Sequence, residues 1–201
     1  PYELKIQREL SNVVGFEISE KVLVSSPSIT DYYIDRYPDK KEKFINIENA
    51  TDISRFSVAP YPDGNTIGFL GGFQPGEGIE RLLEASIIVK HKFPDLNVKI
   101  GYKFLPQSKE YVDSVISKYA NDWIRFYDNI DYNRNAPDFV SSLNVFVIPR
   151  NKTKMNDIAI PSKIYDVMAS GRPQVVTDLE QLSKITLEER SGLVCDLDHE
   201  S

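Results

Sequence analysis

The chain has 201 residues, of which 41% are hydrophobic and 27% charged, values typical of a globular protein that exclude a disordered or collagen-like chain. Its net charge of -6 and pI near 5.1 disfavour nucleic acid as a partner, because the mean field of the protein repels polyanions. No apolar run approaches the roughly 20 residues that cross a bilayer, and the first residues lack the apolar stretch of a signal peptide.

The residues that most often bind metals are scarce. Cys195 is the one cysteine, which excludes an internal disulfide and a zinc site made of thiolates. His91 and His199 are the two histidines, and both stand among charged neighbours that predict surface positions. We therefore expect no metal site and no histidine-based triad. We also expect a reducing, cytoplasmic compartment, with peripheral association at the inner membrane face.

Residues 1–61 are the less regular part of the chain. They predict a helix-like start, then a strand, a helix and a second strand, at residues 21–25, about 28–37 and 44–48. Residues 59–64 are rich in Pro and Gly and predict a linker. We expect residues 1–61 to be the end of a preceding domain with its linker, cut from a longer protein that does not start at Pro1.

From residue 62 onward, short apolar runs alternate with amphipathic stretches. This alternation predicts an α/β domain over residues 62–201, with a doubly wound parallel sheet that is Rossmann-like and truncated at the C-terminus. The strands are predicted at residues 66–70, 97–101, 123–127, 145–148, 174–177 and 192–195. The helices are predicted at residues 77–93, about 108–120, 138–143 and 162–170, with a polar loop over residues 151–160. The unbroken apolar run at 145–148 predicts a central strand that is buried on both faces.

A glycine-rich loop is predicted after the first strand of this domain. Gly71 and Gly72 would let the backbone approach a ligand closely, although a tight strand-to-helix turn explains them as well. Gly76 and Gly78 supply two of the three glycines of a dinucleotide-binding fingerprint, but Arg81 takes the third place and no acidic residue ends the next strand.

The strongest cluster of polar residues follows the central strand. Arg150, Lys152 and Lys154 precede Ser162 and Lys163, which begin the next helix. Cations beside the unpaired amides of a helix start favour a phosphate or diphosphate. Asp166, one turn further along, suits hydrogen bonds from sugar hydroxyls. A solvated charged loop, with Ser162 as a simple helix cap, is the alternative interpretation.

Residues 161–173, with the sequence PSKIYDVMASGRP, resemble the signature of retaining glycosyltransferases of family 4, which have the two-domain GT-B fold. Residues 67–72, 78–85, 145–149 and 191–194 are similar to further stretches of the same family, and residues 21–28 and 46–52 resemble the last strands of its acceptor domain. The resemblance covers about residues 20–198 in the family's order.

The resemblance implies roles for particular residues. Asp166 takes the place of the carboxylate that holds the nucleotide ribose, and Ser162 and Lys163 fall where the donor diphosphate binds. The chain departs from the family pattern in having Ile158 where a second carboxylate is common. It also has Phe73 or Gln74, and Glu77, where the family has Arg and Lys. Diphosphate binding would then fall on Arg150, Lys154 and Lys163, with Gly71 and Gly72 beside them and with Arg150 and Lys163 stabilising the leaving group.

The resemblance also implies a reaction. A hexosyl group would pass from a nucleotide-diphosphate sugar to a glycan or lipid-linked acceptor, as in cell-surface polysaccharide biosynthesis, with retained configuration and without cofactor or metal. The acceptor would bind a missing N-terminal domain, so this chain alone would bind donor weakly and not turn over. A degenerate nucleotide-sugar-binding domain and a nucleotide-sugar 2-epimerase are the alternatives. Strand edges in residues 1–61 make a homodimer another expectation.

Overall fold

The computed structural model describes residues 11–103, 105–132 and 134–196. These residues form a two-stranded parallel sheet in the N-terminal part of the chain and a six-stranded parallel sheet after it. The predicted α/β class and doubly wound parallel sheet are confirmed. Residues 1–10 of the predicted first helix, and His199, lie outside the described residues.

The N-terminal part is a small α/β unit. Its elements are α1, whose described part covers residues 11–18, β1 (Val22–Val24), α2 (Pro27–Arg36) and β2 (Phe44–Asn46), with short 3-10 helices at Pro38–Lys43 and Ile53–Arg55. Ser26 caps α2 by accepting a hydrogen bond from the backbone amide of Ile29 at 3.2 Å. Phe16, Val24 and Phe44 form the buried centre of this unit.

The larger unit alternates strands and helices throughout. Its strands are β3 (Asn65–Gly72), β4 (Leu96–Lys103), β5 (Ile124–Tyr127), β6 (Val145–Ile148), β7 (Gln174–Thr177) and β8 (Gly192–Cys195). Its helices are α3 (Ile79–Lys92), α4 (Lys109–Tyr119), α5 (Ala136–Ser141), α6 (Lys154–Ile158), α7 (Lys163–Ala169) and α8 (Glu180–Glu188). No helix of the described part is long and apolar enough to span a membrane.

The order of the strands places the candidate site. The sheet runs β5-β4-β3-β6-β7-β8, so the chain builds outward from β3 on one side and then returns to add β6 on the other side. The order therefore reverses between β3 and β6, where open parallel sheets bind ligands beyond their carboxyl ends. The predicted central position of the strand at 145–148 is confirmed.

Two apolar layers cover the sheet. Successive side chains of a strand point to opposite faces. Phe69 accordingly packs with residues of α3 and α4 on one face, and Leu70 packs with residues of α5, α7 and α8 on the other. Both residues are at most 3% exposed, so β3 is held from both sides up to the edge at which it ends.

Two local predictions were wrong, one helix was missed and one helix start was shifted. Gly71 and Gly72 are the last residues of β3, paired with Tyr102 and Lys103 of β4, because the ladder continues past the apolar run. The predicted loop at 151–160 contains α6, which Thr153 caps through the amide of Asn156. Helix α8 was not predicted, although its Leu182 and Ile185 are three residues apart on one face. The short helix α5 begins two residues before the predicted start, at Ala136.

Candidate functional site

The candidate site lies where β3 and β6 end, at the reversal of strand order. β3 ends in Gly71 and Gly72, and β6 is followed by Pro149 and Arg150. The chain leaving β3 returns to the sheet at Gly78, which has a positive φ of 76° and packs on Pro149. A Cβ at Gly78 would overlap the carbonyl oxygen of Pro149. The turn before α3 is therefore fixed against the end of β6, as the tight-turn interpretation expects.

A buried carboxylate joins the two predicted diphosphate-binding cations. Glu77 lies directly before Gly78, with its side chain 8% exposed. One of its oxygens accepts from Nη2 of Arg150 at 3.1 Å, and the other accepts from Nζ of Lys163, also at 3.1 Å. The structure thus brings Arg150 and Lys163 together, as the sequence predicted, but with a carboxylate of the chain between them.

Glu77, Arg150 and Lys163 form a triad in which burial and neighbouring charges shift the pKa values of Glu77 and Lys163 in opposite directions. Burial alone would raise the pKa of Glu77, but the charges and hydrogen bonds of Lys163 and Arg150 outweigh it and hold the pKa below its ordinary value. Burial lowers the pKa of Lys163, partly offset by Glu77. We conclude that Glu77 favours the charged form of Lys163 in this buried position.

Gly71 makes room for Lys163. The ammonium group lies 4.2 Å from the centre of the Phe69 ring, a cation–π contact. A Cβ at Gly71 would overlap this ammonium group, whereas a Cβ at Gly72 would meet nothing within 4 Å. Gly71 therefore serves the placement of a side chain, in addition to any close approach of its backbone to a ligand.

A cavity of about 350 Å³ opens beside this triad. Its lining includes Leu70, Gly71, Gly72, Tyr132, Ser162 and Lys163. Ser162 precedes α7, is exposed and makes no capping hydrogen bond with its side chain, so its hydroxyl is available to the cavity. The predicted residues Gly71, Gly72, Ser162 and Lys163 thus share one cavity at the carboxyl edge of the sheet.

Asp166 lies behind this cavity and is 5% exposed. Both of its carboxylate oxygens accept hydrogen bonds from hydroxyl groups, one from Thr51 and one from Tyr132. Burial, together with this bond to Asp166, raises the pKa of Tyr132, so the phenol remains the donor. Both donors belong to the protein, and the binding of sugar hydroxyls by Asp166 stays a prediction.

The N-terminal part positions this region. Ser26 donates to the carbonyl oxygen of Ile158 at 2.8 Å, and Asn49 donates to that of Ile160 at 3.0 Å. Arg55 donates to the carbonyl oxygen of Tyr132 at 2.5 Å. Side chains that precede the predicted linker therefore hold both the segment entering α7 and the tyrosine that faces Asp166.

Lys154 is not brought to the triad. Its ammonium group lies over the ring of Tyr32, 4.9 Å from the centroid. Sequence reasoning gave no role to Glu77, Thr51 or Tyr132; the departure from the family pattern at Glu77 was the one available signal. Among the described residues, no group of three or more His, Cys, Asp or Glu side chains could hold a metal ion.

Known proteins resemble this chain in sequence and in fold. Residues 64–201 match the family model described as "Glycosyl transferases group 1". The chain belongs to this family. Among curated members, TuaH of Bacillus subtilis (strain 168), named as a teichuronic acid biosynthesis glycosyltransferase, is 23% identical over 186 residues, covering 82% of this chain and 44% of TuaH. This group 1 chain thus spans less than half the length of that relative.

Solved GT-B structures share the fold. A sucrose-phosphate synthase from Thermosynechococcus elongatus superposes with a TM-score of 0.68 at 22% identity, over 95% of this chain and 49% of the synthase. A variant of TarM from S. aureus, in complex with fondaparinux, alpha-GlcNAc-glycerol and UDP, gives a TM-score of 0.66 at 14% identity, over 89% of this chain and 34% of TarM. At these identities the likeness establishes the fold.

Proposed function

We propose that this group 1 chain is the donor-binding portion of a retaining glycosyltransferase of family 4 and binds a nucleotide-diphosphate sugar where β3 and β6 end. One observation carries the proposal. Arg150, just after β6, and Lys163, the first residue of α7, lie 13 positions apart in the connection between β6 and β7 and converge within 3.1 Å of the same carboxylate, beside a cavity lined by Gly71 and Gly72. Such a pair of cations suits the diphosphate of a donor.

The same cations suit the reaction. Departure of the leaving group places negative charge on the diphosphate, and fixed cations in a partly buried site stabilise that charge as it develops. Arg150 and Lys163, with side chains 18% and 12% exposed, are shielded from bulk water. We propose that they stabilise the leaving group and that no divalent metal takes part.

Asp166 would hold the nucleotide ribose. A carboxylate that already accepts from two hydroxyl groups, those of Thr51 and Tyr132, can accept from ribose hydroxyls when these replace one of the protein donors. Tyr132 and Ser162 line the cavity beside Lys163, so ribose and diphosphate would lie in one continuous site.

The relatives suggest the wider reaction. UDP is present in the TarM complex, and TuaH is named for the biosynthesis of a polymer, teichuronic acid. We propose that the whole protein transfers a hexosyl group to a glycan or lipid-linked acceptor, with the acceptor bound by residues outside this chain. On this proposal the 201-residue chain alone binds donor weakly and does not turn it over.

A second candidate is a nucleotide-sugar-binding domain without catalytic activity. Glu77 favours it, because the carboxylate neutralises one of the two cations that the diphosphate needs. Donor binding without transfer by the full-length protein would support this candidate over the first.

A thermal-shift panel with UDP-, GDP- and ADP-sugars tests donor binding by the chain. One ligand class should raise the melting temperature, since a ligand at 100 times its Kd stabilises by about 2.7 kcal/mol. Arg150→Gln and Lys163→Gln should each abolish that rise, and EDTA should leave it unchanged. Lys152→Gln, an exposed lysine of the same loop, is the matched control for loss of one positive charge.

Two outcomes contradict the proposal. If no nucleotide sugar raises the melting temperature, the proposed donor site is wrong. If the melting temperature still rises in both Arg150→Gln and Lys163→Gln, the diphosphate binds elsewhere. Lys154→Gln tests the remaining predicted cation; because Lys154 lies on Tyr32, we expect a smaller loss than at Arg150 or Lys163.

A further inference from the structure

Glu77 uses its whole carboxylate on the two cations. Oε1 accepts from Arg150 and Oε2 accepts from Lys163, both at 3.1 Å. Each oxygen of the carboxylate is thus used by one of the two cations. A carboxylate with two oxygens against two cations imitates the contacts of a bound phosphate group. The position occupied by Glu77 is therefore the one that a diphosphate oxygen would take.

The charge balance opposes simultaneous binding. Arg150, Lys163 and Glu77 together carry a net charge of one positive unit, whereas a diphosphate ester brings at least two negative charges. Little water reaches Glu77, and like charges repel more strongly where water is excluded. A diphosphate that approached Arg150 and Lys163 would meet the carboxylate at close range.

Arg150 retains unused donor capacity. Its Nε is buried and has no hydrogen-bond partner among the described residues, while Nη2 donates to Glu77. A buried donor without a partner is costly, and a second acceptor would relieve that cost. Arg150 therefore offers two donors, Nε and Nη2, to a diphosphate that replaces Glu77.

We infer that Glu77 is a displaceable internal anion that occupies the diphosphate position on Arg150 and Lys163 and so sets the affinity of this chain for its donor. The inference rests on the proposed function. Donor binding then requires the carboxylate to leave both cations, and part of the binding free energy is spent on that exchange.

The backbone around Glu77 confines the exchange to the side chain. Gly78 is fixed against Pro149, so the backbone at that side cannot shift without breaking the packing on β6. Gly76, on the other side, has a positive φ of 98° and open space at its Cβ position. Gln74 and Pro75 before it are exposed, so the carboxylate can rotate toward solvent on that side.

Calorimetric titration of the chain with UDP, GDP, ADP and inorganic pyrophosphate tests the inference. Glu77→Gln keeps the shape of the side chain and removes its charge, and it should tighten binding of the accepted nucleoside diphosphate at least tenfold. Glu80→Gln is the matched control, because Glu80 lies one turn along on α3 and accepts from Tyr111 at 3.2 Å instead of from the cations. It should bind as the unsubstituted chain does.

Different binding results would overturn the role of Glu77 and the donor site. Equal or weaker nucleotide binding by Glu77→Gln would overturn the inference and leave the donor site standing. Tighter binding of pyrophosphate alone, with no nucleotide bound by any variant, would support Glu77 as the competing anion and overturn the nucleotide-sugar proposal. No binding of any of these ligands by either protein would overturn both.

Glu77→Asp is a second variant that tests the inference if Glu77→Gln does not fold. Glu77→Gln leaves Arg150 and Lys163 without their carboxylate, so its circular dichroism and melting curve must match a folded chain. Glu77→Asp keeps the charge but is one methylene shorter, so it reaches the cations less well. It should bind diphosphate more tightly than the unsubstituted chain and less tightly than Glu77→Gln. Binding weaker than that of the unsubstituted chain would assign Glu77 to positioning the cations and overturn the inference.

Discussion

The hydroxyl group of Thr51 donates to the carboxylate of Asp166, across 115 positions of sequence. Thr51 belongs to the N-terminal part of the chain, whereas Asp166 lies on α7 of the larger unit. Tyr132 donates to the other oxygen of the same carboxylate. The candidate ribose-binding group is thus held by two residues from outside its own helix, and its orientation depends on the N-terminal part.

Replacement of Thr51 by Val should destabilise the chain by about 1–3 kcal/mol, because it leaves one oxygen of a buried carboxylate without its donor. Urea denaturation gives the free energy of unfolding. Ser57→Ala, an exposed residue of the same segment, should change it by less than about 0.5 kcal/mol. Equal stability of both variants would mean that the contact between Thr51 and Asp166 contributes nothing.

Gly71→Ala should weaken both the fold and donor binding. The added methyl group would displace the ammonium group of Lys163 and press on the Phe69 ring, at a cost of about 1–3 kcal/mol for local overpacking. The displaced cation should weaken nucleotide-sugar binding at least tenfold, which corresponds to about 1.4 kcal/mol. Gly15→Ala, where the Cβ meets nothing within 4 Å, is the control, and calorimetry checks both. Unchanged affinity in Gly71→Ala would argue against a role of Lys163 in binding.

Gly78→Ala should be far more damaging than Gly76→Ala. Both glycines have positive φ, so both substitutions carry a backbone strain of about 1–3 kcal/mol. Only at Gly78 would the methyl group also overlap the carbonyl oxygen of Pro149, which should bring the total loss to roughly 4 kcal/mol or more. Thermal and urea unfolding of the two variants measure the difference. Similar losses would show that the turn before α3 can move away from β6.

The pattern of apolar residues along the sequence was sufficient to predict the parallel α/β architecture. The apolar run at Val145–Ile148 predicted a central strand, and β6 lies between β3 and β7. Arg150 and Lys163 were predicted as site residues because the carboxyl ends of parallel strands meet at one edge of the sheet, where ligands bind. The bounds were less accurate where polar or glycine residues continue an element, as Gly71 and Gly72 continue β3.

The contacts within the site needed the folded chain. Glu77 lies 73 positions from Arg150 and 86 from Lys163, and Tyr132 lies 34 from Asp166. No periodicity or local motif encodes pairings over such separations. The sequence did contain a carboxylate where the family has a cation, but the identity of its partners depends on how the turn before α3 packs on β6.

Lowering the pH should show how much Glu77 contributes to the free energy of unfolding. Its pKa in the folded chain lies below the ordinary value of 4.5, so the unfolded chain binds the proton more readily. The stabilisation is therefore complete above that ordinary value and is lost as the pH falls toward and through the lower pKa of the folded chain. Urea unfolding at pH 6, 5, 4 and 3 should show a smaller loss in Glu77→Gln, which has no carboxylate to protonate, than in the unsubstituted chain. Glu80→Gln retains the triad and should follow the unsubstituted chain more closely than Glu77→Gln does. Parallel loss in all three proteins would mean that Lys163 and Arg150 do not favour the charged form of Glu77, and the assignment of Glu77 as the charged partner of both cations would be wrong.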